Sequence, residues 1–154
     1  MQKYFKQIII ILILVLIGTN IYLFFIYHKP NPKEICFKNN CFTFEIARTP
    51  RQKALGLMNR DLLDQTASML FIYEDPKTMG IWMKNMKFPL DILWLNYEGE
   101  IVDFIKNAPP CQPNLVCPAY KPAESASYVL EINAGLIDKY SLELGNKAKF
   151  YLAN

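Results

Sequence analysis

One histidine, His28, stands in 154 residues, outside the stretch that reads as a folded domain. Ser-His-Asp and Cys-His catalysis both need an imidazole to move the proton, so neither can be built inside that domain. Zinc sites with histidine ligands are excluded for the same reason. The sequence also lacks Gly-x-Gly-x-x-Gly and any phosphate loop ending in Gly-Lys-Ser or Gly-Lys-Thr, which argues against nucleotide chemistry. Charge is scarce: 20% of residues are charged and 52% are hydrophobic. Such a chain is too apolar to be disordered and too short for more than one ordinary domain. It carries no internal repeat and no low-complexity tract.

Part of the apolar excess has one source. Residues 8–27 contain no charged side chain, enough to cross a bilayer as a helix of roughly 30 Å. Tyr22, Phe24, Phe25 and Tyr27 lie toward its far end, where aromatic rings suit an interface. A cleaved signal peptide needs a shorter core followed by small residues, whereas Leu16-Ile17-Gly18 is followed by further apolar residues. An uncleaved anchor is therefore expected: residues 1–27 as tail and transmembrane helix, 28–34 as a linker with Pro30 and Pro32, and 35–154 as a single domain. Residues 28–154 keep all 14 acids and 15 of the 17 bases, a formal charge of +1. A phosphate-tracking protein would be far more basic, so no nucleic-acid partner is expected.

The four cysteines form two short-range pairs, Cys36 with Cys41 and Cys111 with Cys117. The first spans Cys36-Phe-Lys-Asn-Asn-Cys41, which reads as a hairpin with Asn39-Asn40 taking positive φ. The second flanks a loop rich in proline (Pro109, Pro110, Pro113, Pro118). Zinc is the alternative, but C-x4-C and C-x5-C are looser than the usual C-x2-C knuckle. Two disulfides are expected, and they require an oxidising compartment. Lys3 and Lys6 before the apolar run face Lys29 and Lys33 after it, so charge orients the anchor only slightly. The disulfides favour a cytoplasmic N-terminus, with the domain on the extracytoplasmic side of the cell membrane.

Residues 35–37 and 42–47 read as a hairpin. Thr49-Pro50-Arg51-Gln52 combines an N-cap, a proline at the first helical position and a capping-box glutamine, so a helix should span 50–57. Strands are expected at 68–73 and 81–83, with Asp75-Pro76 as a turn between them. Residues 91–97 and 100–106 read as a hairpin turning at Glu98-Gly99, its first strand apolar on both faces. A strand at 128–133, a short helix at 134–140 and a closing strand at 147–152 complete the set. The expected class is mainly β, a small barrel-like antiparallel domain with one or two short helices.

Charged residues where burial is expected are the candidates for function. Asp91 opens the most hydrophobic strand, and Glu131 interrupts Tyr128-Val-Leu-Glu-Ile132, sharing a face with Val129 and Asn133. A buried carboxylate must be paired. Arg51 or Arg60 could satisfy these acids as internal scaffolding. Alternatively Arg51, Arg60, Lys84, Asn85, Asp91 and Glu131 converge on a small polar ligand. A third reading makes Asp91 and Glu131 a hydrolytic carboxylate pair. Met79, Met83 and Met86 crowd around Trp82 and are weak candidates for Cu(I), against the plainer reading that they fill gaps. No resident cofactor is expected.

In this order the pieces resemble one family, the domain of unknown function 192. They are Arg51-Gln-Lys-Ala-Leu-Gly56-Leu-Met-Asn-Arg60, Met69-Leu-Phe71, Trp82-Met-Lys-Asn85, Pro89-Leu-Asp-Ile92, Gly99-Glu-Ile101, Cys111 with Cys117-Pro-Ala-Tyr120, and Tyr128-Val-Leu-Glu131 with Gly135 and Gly145. The resemblance covers roughly residues 45–152. It implies a compact β domain, often exported or membrane-tethered, and places Arg51, Arg60, Asn85, Asp91 and Glu131 at family-motif positions. It implies no function. Ser68, Ile81 and Met86 depart from the pattern, and Cys36 and Cys41 lie outside it. The function expected is a membrane-anchored extracytoplasmic binding module for a small polar ligand or an envelope partner. A structural or assembly role is the bland alternative.

Overall fold

The structure is a computed structural model in which residues 2–27, 33–77, 79–111 and 116–152 are described. The chain forms two units, divided after Asn31. The first is one helix, α1 (Gln2–Tyr27). Its side chains described without interruption, residues 11–23, are all exposed. Among the described residues no helix is long and apolar enough to cross a membrane, so the expected transmembrane anchor draws no support from them. The linker expected at 28–34 falls largely outside the described residues.

The second unit is mainly β: β1 (Glu34–Phe37), β2 (Asn40–Ala47), α2 (Pro50–Leu55), β3 (Ala67–Lys77), β4 (Ile81–Trp82), β5 (Leu90–Leu95), β6 (Ile101–Ala108), β7 (Ala119–Tyr120), β8 (Ala126–Asn133), α3 (Leu136–Lys139) and β9 (Ala148–Tyr151). Seven strands make one curled sheet in the order β6-β5-β8-β3-β2-β1-β9, and β4 pairs with β7 apart from it. The curl brings the two edges together at one end only. There Ala148 N donates to Gly99 O at 2.8 Å, Gly145 N to Ile101 O at 2.9 Å and Ile101 N to Asn146 O at 3.0 Å. The result is a half-barrel. Gly99 is required at this seam: its φ is +81°, and a Cβ would stand 3.0 Å from the Phe150 ring and 3.2 Å from the Ala148 carbonyl oxygen.

The sheet is not wholly antiparallel, as the pattern had suggested. β2 and β3 run parallel, Thr43 to Ala67 through Ala47 to Phe71. Parallel neighbours need a crossover rather than a tight turn. The 48–66 connection supplies it, with α2 held by the expected capping box between Thr49 and Gln52. This helix stops at Leu55 rather than at 57, because Gly56 takes φ +49°. Asp75-Pro76 is not a turn between strands. β3 runs through it to Lys77, with a register shift after Ile72 that leaves the proline outside a regular ladder. In the first hairpin the positive φ falls on Lys38 rather than on an asparagine, which sets Cys36 directly opposite Cys41.

Strand alternation divides the core into two. Leu93, Leu95, Leu130 and Ile132 pack with Ile35, Phe37 and Phe42 on one face. Leu90, Ile92, Trp94 and Val129 pack with Leu57, Met69 and Phe71 on the other. β5 is buried at all six positions, as a central strand covered on both sides must be. Both disulfides are formed, Cys36–Cys41 and Cys111–Cys117.

Candidate functional site

Register decides which charged groups can meet. Glu131 of β8 is opposite Met69 of β3 on one side and Ile92 of β5 on the other, and Met69 is opposite Glu45 of β2. Residues in register share a face, so Glu45, Met69, Glu131 and Ile92 form one row over the second core. Asp91 is opposite Ile132 and therefore points to the other face. The two carboxylates are separated by the sheet itself, and the hydrolytic pair considered for them is not assembled.

Asp91 is fully buried and fully used. One carboxylate oxygen accepts from Asn107 N and the other from Ile137 N, both at 2.8 Å. The second bond satisfies a donor in the first turn of α3, whose own N-cap, Gly135, offers no side chain. Asp91 thus ties β5 to β6 and α3.

Glu131 is 5% exposed and is handled differently. Among the described residues no buried side-chain oxygen or nitrogen is both sealed and partnerless. Glu131 avoids that condition by opening on a cavity of about 60 Å³, with no hydrogen bond or ion pair to another described residue. Burial pushes its carboxyl up from 4.5 to about 8. The cavity walls are Gly56, Met58, Phe71, Tyr73, Trp82 and Met86, with Lys53 near the mouth. Burial, and next the nearby Glu131 charge, push the Tyr73 hydroxyl up to about 12. Lys53, Ala54, Tyr73, Gly80 and Trp82 also line an open groove of about 620 Å³, so the smaller cavity continues into a larger depression.

Local chemistry fixes the walls. The turn after α2 brings Gly56 so close to Phe71 that a Cβ would stand 3.3 Å from the ring. The opposite wall, residues 79–86, is a strap held by three bonds, one to the sheet and two to the neighbouring loops. Trp94 Nε1 donates to Met79 O at 3.1 Å, Asn59 N to Asn85 O at 2.9 Å, and Cys111 N to Met83 O at 3.0 Å. The lysine ammoniums rest on the rim rings: Lys53 Nζ is 4.1 Å from the Tyr73 centroid and Lys84 Nζ is 5.3 Å from that of Trp82.

Of the six candidates, only Glu131 lines this cavity. Lys84 and Asn85 lie beside it on the strap, where Asn85 Nδ2 donates to Met58 Sδ at 3.9 Å. Arg60 turns away to Glu45, with two bonds of 2.5 and 2.8 Å, and this pairing holds the Glu45 carboxyl below its ordinary value. Arg51 is exposed on α2. The methionines also part company. Met79 borders the groove, Met86 the Glu131 cavity, and Met83 a third cavity beside Cys111 and Tyr120. Lys53, Met58, Phe71 and Tyr73 were not singled out in the sequence. Tyr73 carried the one available hint, an aromatic closing the apolar run of β3 beside acids.

The model of the DUF192 family, described as an uncharacterised ACR, matches residues 33–150. No curated protein matches the chain. A crystal structure of a protein of unknown function from Novosphingobium aromaticivorans DSM 12444 is 29% identical, with a TM-score of 0.70 over 78% of this chain and 84% of that one. One from Sinorhizobium meliloti 1021, assigned provisionally as a transcription regulator, is 27% identical, with a TM-score of 0.71 over 79% and 95%.

Proposed function

Because the chain belongs to the DUF192 family, for which no function is established, we propose from its geometry that it is a binding module for a small polar ligand. The observation that carries the reading is Glu131: a carboxyl 5% exposed, without a partner among the described residues, facing a cavity that continues into an open groove. A scaffold carboxylate in this fold looks like Asp91, saturated by backbone donors. Glu131 instead retains its full capacity to bind something that enters. Apolar walls and one polar group at depth are the usual composition of a small-molecule site.

The test uses Ala54, which is exposed on α2 and lines both the cavity and the groove. The full-length chain is isolated natively from its own cells, alongside Ala54→Phe, and both are analysed by native mass spectrometry. A small molecule carried by the wild type and lost from the variant supports the reading. Equal recovery from both overturns it.

The setting belongs to the same proposal. The sequence has twenty uncharged residues at 8–27, and both disulfides suit an oxidising compartment. Together they support a single-pass anchor in the cell membrane with the domain on the extracytoplasmic side. Release of the full-length chain by alkaline carbonate washing of membranes would refute the anchor.

A further inference from the structure

We propose that the group entering the smaller cavity is a small alkylammonium, with its N–H donors on Glu131 and its alkyl chain among Phe71, Tyr73, Trp82 and the Met58 and Met86 thioethers. The inference rests on the binding reading above and names its ligand class. Set among aliphatic groups (Leu55, Leu57, Ile81), the polarisable surfaces of the cavity are the Phe71, Tyr73 and Trp82 rings, the Met58 and Met86 thioethers and one carboxyl, with Lys53 its one cation. A ligand led by an acceptor would use the Tyr73 hydroxyl, the Trp82 indole N–H, the protonated Glu131 carboxyl or the Lys53 ammonium, which already rests on the Tyr73 ring, but it would leave the ring faces and thioethers without an electrostatic partner. The rings at the rim hold a cation in the protein itself, since Lys53 and Lys84 place their ammoniums 4.1 and 5.3 Å from the two centroids. What the cavity lacks is a positive charge at its base. A volume of about 60 Å³ holds about two waters, enough for an ammonium and its first methylene.

The missing charge has a proton signature. With no cation in the cavity the Glu131 carboxyl keeps its proton up to about pH 8. An entering ammonium supplies the counter-charge, the carboxyl ionises, and the proton leaves to solvent. Lys53 from α2 also faces this cavity. Tyr73 from β3, held up to about 12, stays neutral, and β5 contributes only Ile92. A neutral ligand would leave the proton in place.

The full-length protein is titrated with n-propylammonium and, separately, with the neutral isostere n-propanol, reading the Trp82 and Trp94 indole N–H resonances. Affinity for n-propylammonium should rise about 50-fold from pH 6 to pH 8 and then level off, with about 0.9 proton released per site at pH 7. Glu131→Gln should lose most of that affinity; the wild-type pH profile and proton release stand without the variant. Equal binding of n-propanol with no proton release overturns the ammonium assignment and leaves the binding reading standing. If neither probe moves the Trp82 resonance, both fall.

Discussion

Replacing Glu131 with glutamine should remove a loss of stability that sets in as pH rises. The folded carboxyl keeps its proton to about 8 because it is buried, whereas its ordinary value is 4.5. Between those values the native state holds a proton that the unfolded chain has released. The stabilising contribution is therefore complete below pH 4.5, fades across the window, and is wholly lost once pH passes 8. A separation of that size corresponds to about 5 kcal/mol, and about 4 kcal/mol of it should develop between pH 5 and pH 9. Glutamine has the same shape and no ionisable group. The neighbouring Tyr73 hydroxyl, held up to about 12, does not change charge within this window and so does not mask the effect. The assay is urea unfolding of the full-length chain in detergent micelles, followed by tryptophan fluorescence; Trp82 and Trp94 both lie in the second unit. Wild type should weaken relative to the variant at each step up in pH. Parallel curves across the whole range would show that Glu131 is not desolvated, and the cavity argument would fail with it.

Two further outcomes are expected. Asp91→Asn keeps the side-chain volume but turns one acceptor toward the Asn107 or Ile137 N–H as a donor, so it should cost about 3 kcal/mol in the same assay; a loss below 1 kcal/mol would mean these bonds contribute little. Alkylation of the folded, unreduced protein should leave Cys36, Cys41, Cys111 and Cys117 unmodified in intact-mass measurement, since all four are bridged; any labelled thiol would contradict the pairing.

Much of the architecture is legible in particular residues. Thr49-Pro50 with Gln52 announces α2, and the unbroken apolar run of β5 announces a strand covered on both faces. The ordered motifs point to the family, and its model matches most of the chain. Cysteine spacing pairs the thiols correctly because each pair closes a short loop. The parallel pairing of β2 with β3 is not legible, since a strand pattern carries no direction. The passage of β3 through Asp75-Pro76 is hidden for a related reason: a proline reads as a break unless a bulge leaves its nitrogen outside the ladder.

The candidate site shows the same division. Period-two alternation is a property of one strand, so the sequence alone assigned Glu131 to the face of Val129 and required any buried acid to find a partner or a cavity. Which of the two each acid found depends on neighbours far away in the chain. Asp91 is saturated because β6 and α3 bring two backbone donors to it, and Arg60 is taken by Glu45 through the parallel crossover. Glu131 remains open because the turn at Gly56 and the strap tied to Trp94 meet above it without filling the space between. Local composition determines what a residue needs when it is buried; only the assembled sheet and its covering loops decide what it is given.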